Sequence, residues 1–100
     1  MTYKIVEVTC DADPKKPRMV RVAATLNAPL PASHMLWSEI RSNGKRSPGE
    51  MKPRAGAYRR SPLAMPDDPV TVKLSVVART DPHTAIAEFE QDFDLGRGGG

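Results

Sequence analysis

Residues 70–79 read Val70-Thr-Val-Lys-Leu-Ser-Val-Val-Ala-Arg79. Val70, Val72, Leu74, Val76 and Ala78 share one parity; Thr71, Lys73, Ser75 and Arg79 share the other, with Val77 the exception. A period of two puts alternate side chains on opposite faces of a strand. β-branched residues suit a half-buried pleated surface. The run predicts a strand with one face in a core. Thr80-Asp-Pro-His83 then reads as a turn. In the following run Ala85, Ala87, Phe89, Phe93 and Leu95 face one way, with Gln91 the exception, and Ile86, Glu88, Glu90, Asp92 and Asp94 face the other. A helix would scatter these residues around its circumference. Two alternating strands across a short turn predict an antiparallel hairpin that closes the domain. Lys73 and Arg79 are expected to meet the acidic stripe across the ladder.

Working toward the N-terminus, Met35 to Arg41 carries Leu36 and Ile40 on one side and Met35 and Trp37 on the other. It ends at Ser42-Asn43-Gly44, a strong hairpin signal. Met19 to Leu26 places Val20, Val22, Ala24 and Leu26 on one face, and Tyr3 to Cys10 places Val6, Val8 and Cys10 on one face. Asp11 to Pro17 reads as a loop, and Pro29-Leu-Pro31 breaks the chain. Residues 43–69 contain prolines 48, 53, 62, 66 and 69. This segment reads as a long irregular Pro/Arg-rich loop or arm, with Ala57-Tyr58-Arg59 a candidate short strand. A structureless stretch of that length is uncommon inside a compact domain. Residues 96–100 read as a flexible Gly-rich tail.

One hundred residues make one domain, placed at residues 1–95. Ten prolines, seven glycines and an apolar fraction of 39% predict a thin core with long connections. Cys10 is the only cysteine, which excludes an internal disulfide; its strand phase predicts a buried thiol. Glu7 interrupts the N-terminus, so no signal peptide is expected. No apolar run approaches the roughly 20 residues of a membrane span. The expected setting is cytoplasmic synthesis, with packaging into a virion as an extension, and no membrane partner.

Trp37 within Met35-Leu-Trp-Ser-Glu-Ile40, with the closing pair Val70–Ala78 and Ala85–Leu95, resembles immunoglobulin-like and fibronectin type III-like β-sandwiches. The paired core cysteines of antibody domains are absent, as is the tyrosine near the start of the penultimate strand. The resemblance implies an all-β fold, a small antiparallel sandwich, with Trp37 as a core anchor. The alternation adds Val72, Leu74, Val76, Phe89 and Phe93 as core anchors. An architecture of this kind licenses no function by itself.

Charge is unevenly distributed around a net +3. Arg41, Lys45, Arg46, Lys52, Arg54, Arg59 and Arg60 fall within residues 41–60 and are opposed only by Glu50. Asp81, Glu88, Glu90, Asp92 and Asp94 fall within residues 81–100 against Arg97. A basic middle and an acidic end either compensate each other on one surface or contact partners through opposite patches. The acids Glu88, Glu90, Asp92 and Asp94 repeat about every 7 Å along a strand. A linear stripe does not converge as a calcium site must, but it suits a partner contact or a guarded sheet edge.

No catalytic apparatus emerges. His34 and His83 are the only histidines, too few for a metal site without further ligands. Ser33 and His34 are adjacent and are expected to point to opposite faces, which forbids a nucleophile–base pair. No phosphate-binding glycine loop is present, so no cofactor is expected. The favoured reading is a non-enzymatic structural or assembly module with protein partners, in a homo- or hetero-oligomer such as a phage capsid decoration or tail component. The alternative is a nucleic-acid-binding module using the 41–60 arm, although Tyr58 is the only aromatic residue there. A third reading is a soluble adaptor or inhibitor that presents the 43–69 loop.

Overall fold

Alternation becomes eight strands in a computed structural model that describes residues 2–96. In chain order they are β1 (Ile5–Ala12), β2 (Met19–Leu26), β3 (His34–Ser42), β4 (Lys45–Arg54), β5 (Ala57–Arg59), β6 (Leu63–Ala64), β7 (Val70–Ala78) and β8 (Asp81–Phe93). The fold is all-β, with no helix among the described residues. Residues 97–100 of the Gly-rich tail lie outside the described residues.

The closing hairpin pairs antiparallel from Val70↔Phe93 through Leu74↔Phe89 to Ala78↔Asp81. Its turn is the two-residue Arg79-Thr80, so Asp81 to His83 begin β8 instead of forming the turn. Register shifts flank Val77, and an irregular ladder leaves Val76 and Val77 both buried. That irregularity accounts for the one break in the alternation of β7. The hairpin between β3 and β4 closes on Asn43 and Gly44, with φ of 47° and 80° and Ser42↔Lys45 as its last pair. Positive φ at both central residues matches the twist of antiparallel strands.

The 43–69 segment is not a long irregular loop. It contains β4, β5 and β6, and its remaining turns are tied down. The Ser42 hydroxyl donates to the Asp67 carbonyl at 2.6 Å, the Met65 amide donates to the Arg18 carbonyl at 3.0 Å, and Met65 is fully buried. The prolines mislead because a central strand cannot lose ladder donors. Here β4 pairs with β3 only over Lys45–Met51 and with β5 only over Lys52–Arg54. At Pro48 and at Pro53 the strand is therefore paired on one side alone, the setting in which proline is tolerated. The β4–β5 turn carries Ala55 at φ 53° and Gly56 at φ 83°. Alanine at positive φ gives no turn signal in sequence.

The strands follow one hydrogen-bonded path, β1-β2-β5-β4-β3-β7-β8, with β6 pairing β2 off that path. The antiparallel sheet is curled, and its two end strands, β1 and β8, come into contact. One core lies within the curl. It joins Cys10, Val20, Val22 and Ala24 from β1 and β2 to Leu36, Ile40, Met51 and the inner face of β7. Val72, Leu74 and Val76 are fully buried, and Phe89 and Phe93 pack against them half-buried from the edge strand β8.

Trp37 is not a core anchor. The register that turns Leu36, Ser38 and Ile40 inward turns Trp37 outward, where it is 38% exposed. The inward slot between Leu36 and Ile40 belongs to Ser38, which is fully buried. Val6 is likewise out of phase with Val8 and Cys10. A register shift between Ile5 and Glu7 leaves Val6 63% exposed and turns Ile5 toward the core.

Candidate functional site

Cationic side chains concentrate where β2, β5 and β4 lie side by side. Ala23 pairs with Arg59, and Arg59 pairs with Lys52, so Arg59 and Lys52 stand in one row on the outer face. Arg21 and Arg54 lie two residues from that row on β2 and β4 and share its face by strand alternation. After Arg59 the chain leaves β4, and a groove of about 840 Å³ opens, lined by Arg21, Lys52, Arg54, Arg59 and Arg60 with Glu50.

Arg60 forms the floor. Its amide donates to the Val22 carbonyl at 3.1 Å, and its side chain turns in toward β3 and β4. Nη1 donates to Ser38 Oγ at 2.8 Å and to the Ser47 carbonyl at 3.1 Å; Nη2 donates to Ser47 Oγ at 3.0 Å. Ser38 Oγ donates onward to the Gly49 carbonyl at 2.7 Å. Gly49 makes the room: a Cβ there would sit 2.8 Å from Arg60 Cζ. Burial pulls the Arg60 pKa down from its ordinary value, and all the acceptors its guanidinium reaches are neutral.

The other lining groups divide into satisfied and unsatisfied charges. Arg21 lies 3.1 Å from Asp13, and Lys52 lies 3.4 Å from Glu50. A bidentate pair from Arg79 also holds Glu50, with both bonds at 2.9 Å. The Arg79 bonds, followed by those from Lys52, hold the Glu50 carboxyl down to about pKa 2. The Asp13 carboxyl is also lowered, first by the Lys15 amide and then by Arg21. Among the described residues, no carboxylate forms an ion pair with Arg54, Arg59 or Arg60. Tyr58, the one aromatic residue of the segment, packs against the core and accepts the Leu30 amide at 2.9 Å. It offers the groove no stacking surface.

The seven cations expected to act together are thus split. Lys52, Arg54, Arg59 and Arg60 meet in the groove. Arg41, Lys45 and Arg46 surround the β3–β4 turn, where Arg46 lies 2.9 Å from Glu39 and Arg41 lies 3.4 Å from Glu90. Arg21 was not legible as a member. It is one basic residue in an alternating strand, and only the β2–β5 pairing brings it to the groove.

Glu88, Glu90 and Asp92 stand exposed on the outer face of β8, and Asp94 follows just beyond its end. Asp92 accepts the Thr71 hydroxyl at 2.6 Å, and Asp94 accepts the Gly96 amide at 2.9 Å. Lys73 stands opposite Glu90 in register. Arg79 does not meet this stripe, because it lies in the turn and reaches across to Glu50 on β4.

Chemistry beyond charge is sparse. Ser33 Oγ lies 2.8 Å from His34 Nδ1. The two do not point apart, because Ser33 precedes β3 and is free of its pleat. Tyr3 packs near His34, with ring centroids 6.0 Å apart. Cys10 is buried. Among the described residues, no group of three or more His, Cys, Asp or Glu side chains is placed to hold a metal, and no helix is long and apolar enough to cross a membrane. What the arrangement can do is hold an anion: three guanidinium groups without carboxylate partners converge on a groove with a polar floor. No protein-family model, curated protein or solved structure was found to match the chain.

Proposed function

We propose that this chain is a non-enzymatic assembly module that docks an acidic protein surface in its basic groove. The observation that carries this reading is that Arg54 and Arg59 on strands, and Arg60 just after one, line the groove without a carboxylate partner among the described residues. Guanidinium groups favour bidentate recognition of carboxylates, and Glu50 already shows that mode with Arg79 on the same molecule. The inward Tyr58 leaves the groove without the aromatic platform that single-stranded nucleic-acid binders use. We also read the two halves of the curled sheet, which share one core, as the layers of an immunoglobulin-like sandwich.

Fluorescence anisotropy separates this reading from its main competitor. A labelled poly-glutamate peptide and a labelled mixed-sequence DNA duplex are titrated at about 150 mM salt. The peptide is expected to bind the parent chain at least about tenfold more tightly than it binds a variant carrying Arg54→Gln and Arg59→Gln. Tighter binding of the duplex, with a steep loss of affinity as salt rises, would overturn the reading in favour of phosphate recognition.

A further inference from the structure

We propose that copies of this chain associate head to tail, the basic groove of one seated on the acidic seam of the next. This inference rests on the acidic-partner reading above and names the partner as a second copy.

The topology creates the two surfaces. In the path β1-β2-β5-β4-β3-β7-β8 the groove strands sit in the interior of the order, and the sheet curls until β1 and β8 touch. The end strands carry the acids. Glu7 and Asp11 are exposed on β1, and Glu88, Glu90 and Asp92 are exposed on β8. The seam therefore carries acids on both strands; its β1 half borders the groove, where Asp11 stands opposite Arg21 in register, and its β8 half is separated from β4 by β3 and β7. Only the β8 half forms an acidic run in the sequence. The β1 half appears because closure brings the two chain ends together.

The surfaces also match in repeat. Lys52 and Arg54 alternate on β4 as Glu88, Glu90 and Asp92 alternate on β8, each at the two-residue strand period of about 6.8 Å. Both end strands leave one backbone edge unpaired along the path, and such edges invite a further strand or surface. Pairing of β8 with β8 of another copy would set acids against acids, and like charges directly opposite oppose that contact. A basic surface meets no such repulsion. Because groove and seam are different patches, the contact is heterologous. In a pair, one copy keeps a free seam and the other a free groove, so copies extend a filament or close a ring.

Sedimentation velocity tests this on the whole chain. At about 20 mM salt the weight-average mass should exceed 10.9 kDa and rise with concentration, and at about 500 mM it should return to the monomer. Two variants dissect the contact: Arg54→Gln with Arg59→Gln removes groove charge, and Glu88→Gln with Glu90→Gln removes seam charge. All four positions are exposed, and far-UV circular dichroism matching the parent confirms that each variant is folded. Each alone should be monomeric. Their equimolar mixture should form a dimer of twice 10.9 kDa and nothing larger, because one supplies the intact seam and the other the intact groove. A parent that stays monomeric at low salt, a variant that assembles like the parent, or a mixture that fails to dimerise would overturn the proposal. A monomeric parent that still binds poly-glutamate overturns self-association alone. Preference for the DNA duplex overturns the acidic-partner reading as well.

Discussion

The β7–β8 hairpin and the β4–β5 pair are both antiparallel ladders, but different forces hold them. β7 carries four fully buried residues, Val70, Val72, Leu74 and Val76, and has a strand on either side. Its alternation is therefore both the sequence signal and the source of its stability. β4 has one fully buried side chain, Met51, in a run that includes Ser47, Pro48, Gly49 and Pro53. It is a strand because β3 and β5 supply ladder partners in turn and because positive-φ turns close both of its ends. Burial leaves a pattern in sequence; pairing and turn geometry leave little.

The sharpest test of this difference is large-to-small substitution. Leu74→Ala should cost about 3–4 kcal/mol in urea unfolding, through lost transfer energy and the residual cavity. Met51→Ala should cost about 2–3 kcal/mol. An equal or larger loss at Met51 would mean that β4 depends on burial as β7 does. Next in size is Gly49→Ala, expected to cost about 1–2 kcal/mol. The added Cβ displaces the Arg60 guanidinium and breaks its bonds to Ser38 and Ser47. A neutral result would show that Arg60 re-seats freely and that the groove floor is not fixed.

Trp37→Ala should cost only about 1 kcal/mol, because the ring is partly solvated. A loss on the scale of Leu74→Ala would return Trp37 to the core. Ala55→Asn acts in the other direction. It installs the Asn-Gly pair of the β3–β4 turn at a position already at positive φ, and should stabilise by about 0.5–1 kcal/mol. The smallest expected effect ties the two regions together, since Glu50 belongs to β4 and Arg79 follows β7. The Glu50 pKa is lowered from 4.5 to about 2 in the folded chain. Its contribution is therefore complete above about pH 4.5 and is lost as pH falls through about 2. The stability difference between the parent and Glu50→Gln, followed by thermal melts, should shrink over that window. A constant difference would detach Glu50 from the pair.

The groove was only partly legible. Lys52, Arg54, Arg59 and Arg60 stood out as a basic run, but a charge run carries no information about which of its members fold together. Arg41 and Arg46 left the group because β3 and β8 offered them Glu39 and Glu90. Arg21 joined from a segment 31 residues before Lys52 because β2 pairs with β5. Trp37 shows how a resemblance can override a better local reading. The parity of Leu36 and Ile40 already placed the ring on the opposite face, whereas analogy placed it in the core.

By itself the sequence determined the all-β class, the closing hairpin, the inner face of β7 and the Asn43-Gly44 turn. Each of these is local: side-chain parity and backbone φ preferences act over a few residues and need no partner to be read. Tertiary structure alone decided the strand order, the role of β4 as a strand shared by both halves, and the outward face of Val6. It alone brought the acids of β1 and β8 to the two ends of one curled sheet and assembled a basic groove from β2, β4 and β5. Those features depend on which distant strands pair, and the free energy that selects the pairing is summed over the whole core, not written at any one position.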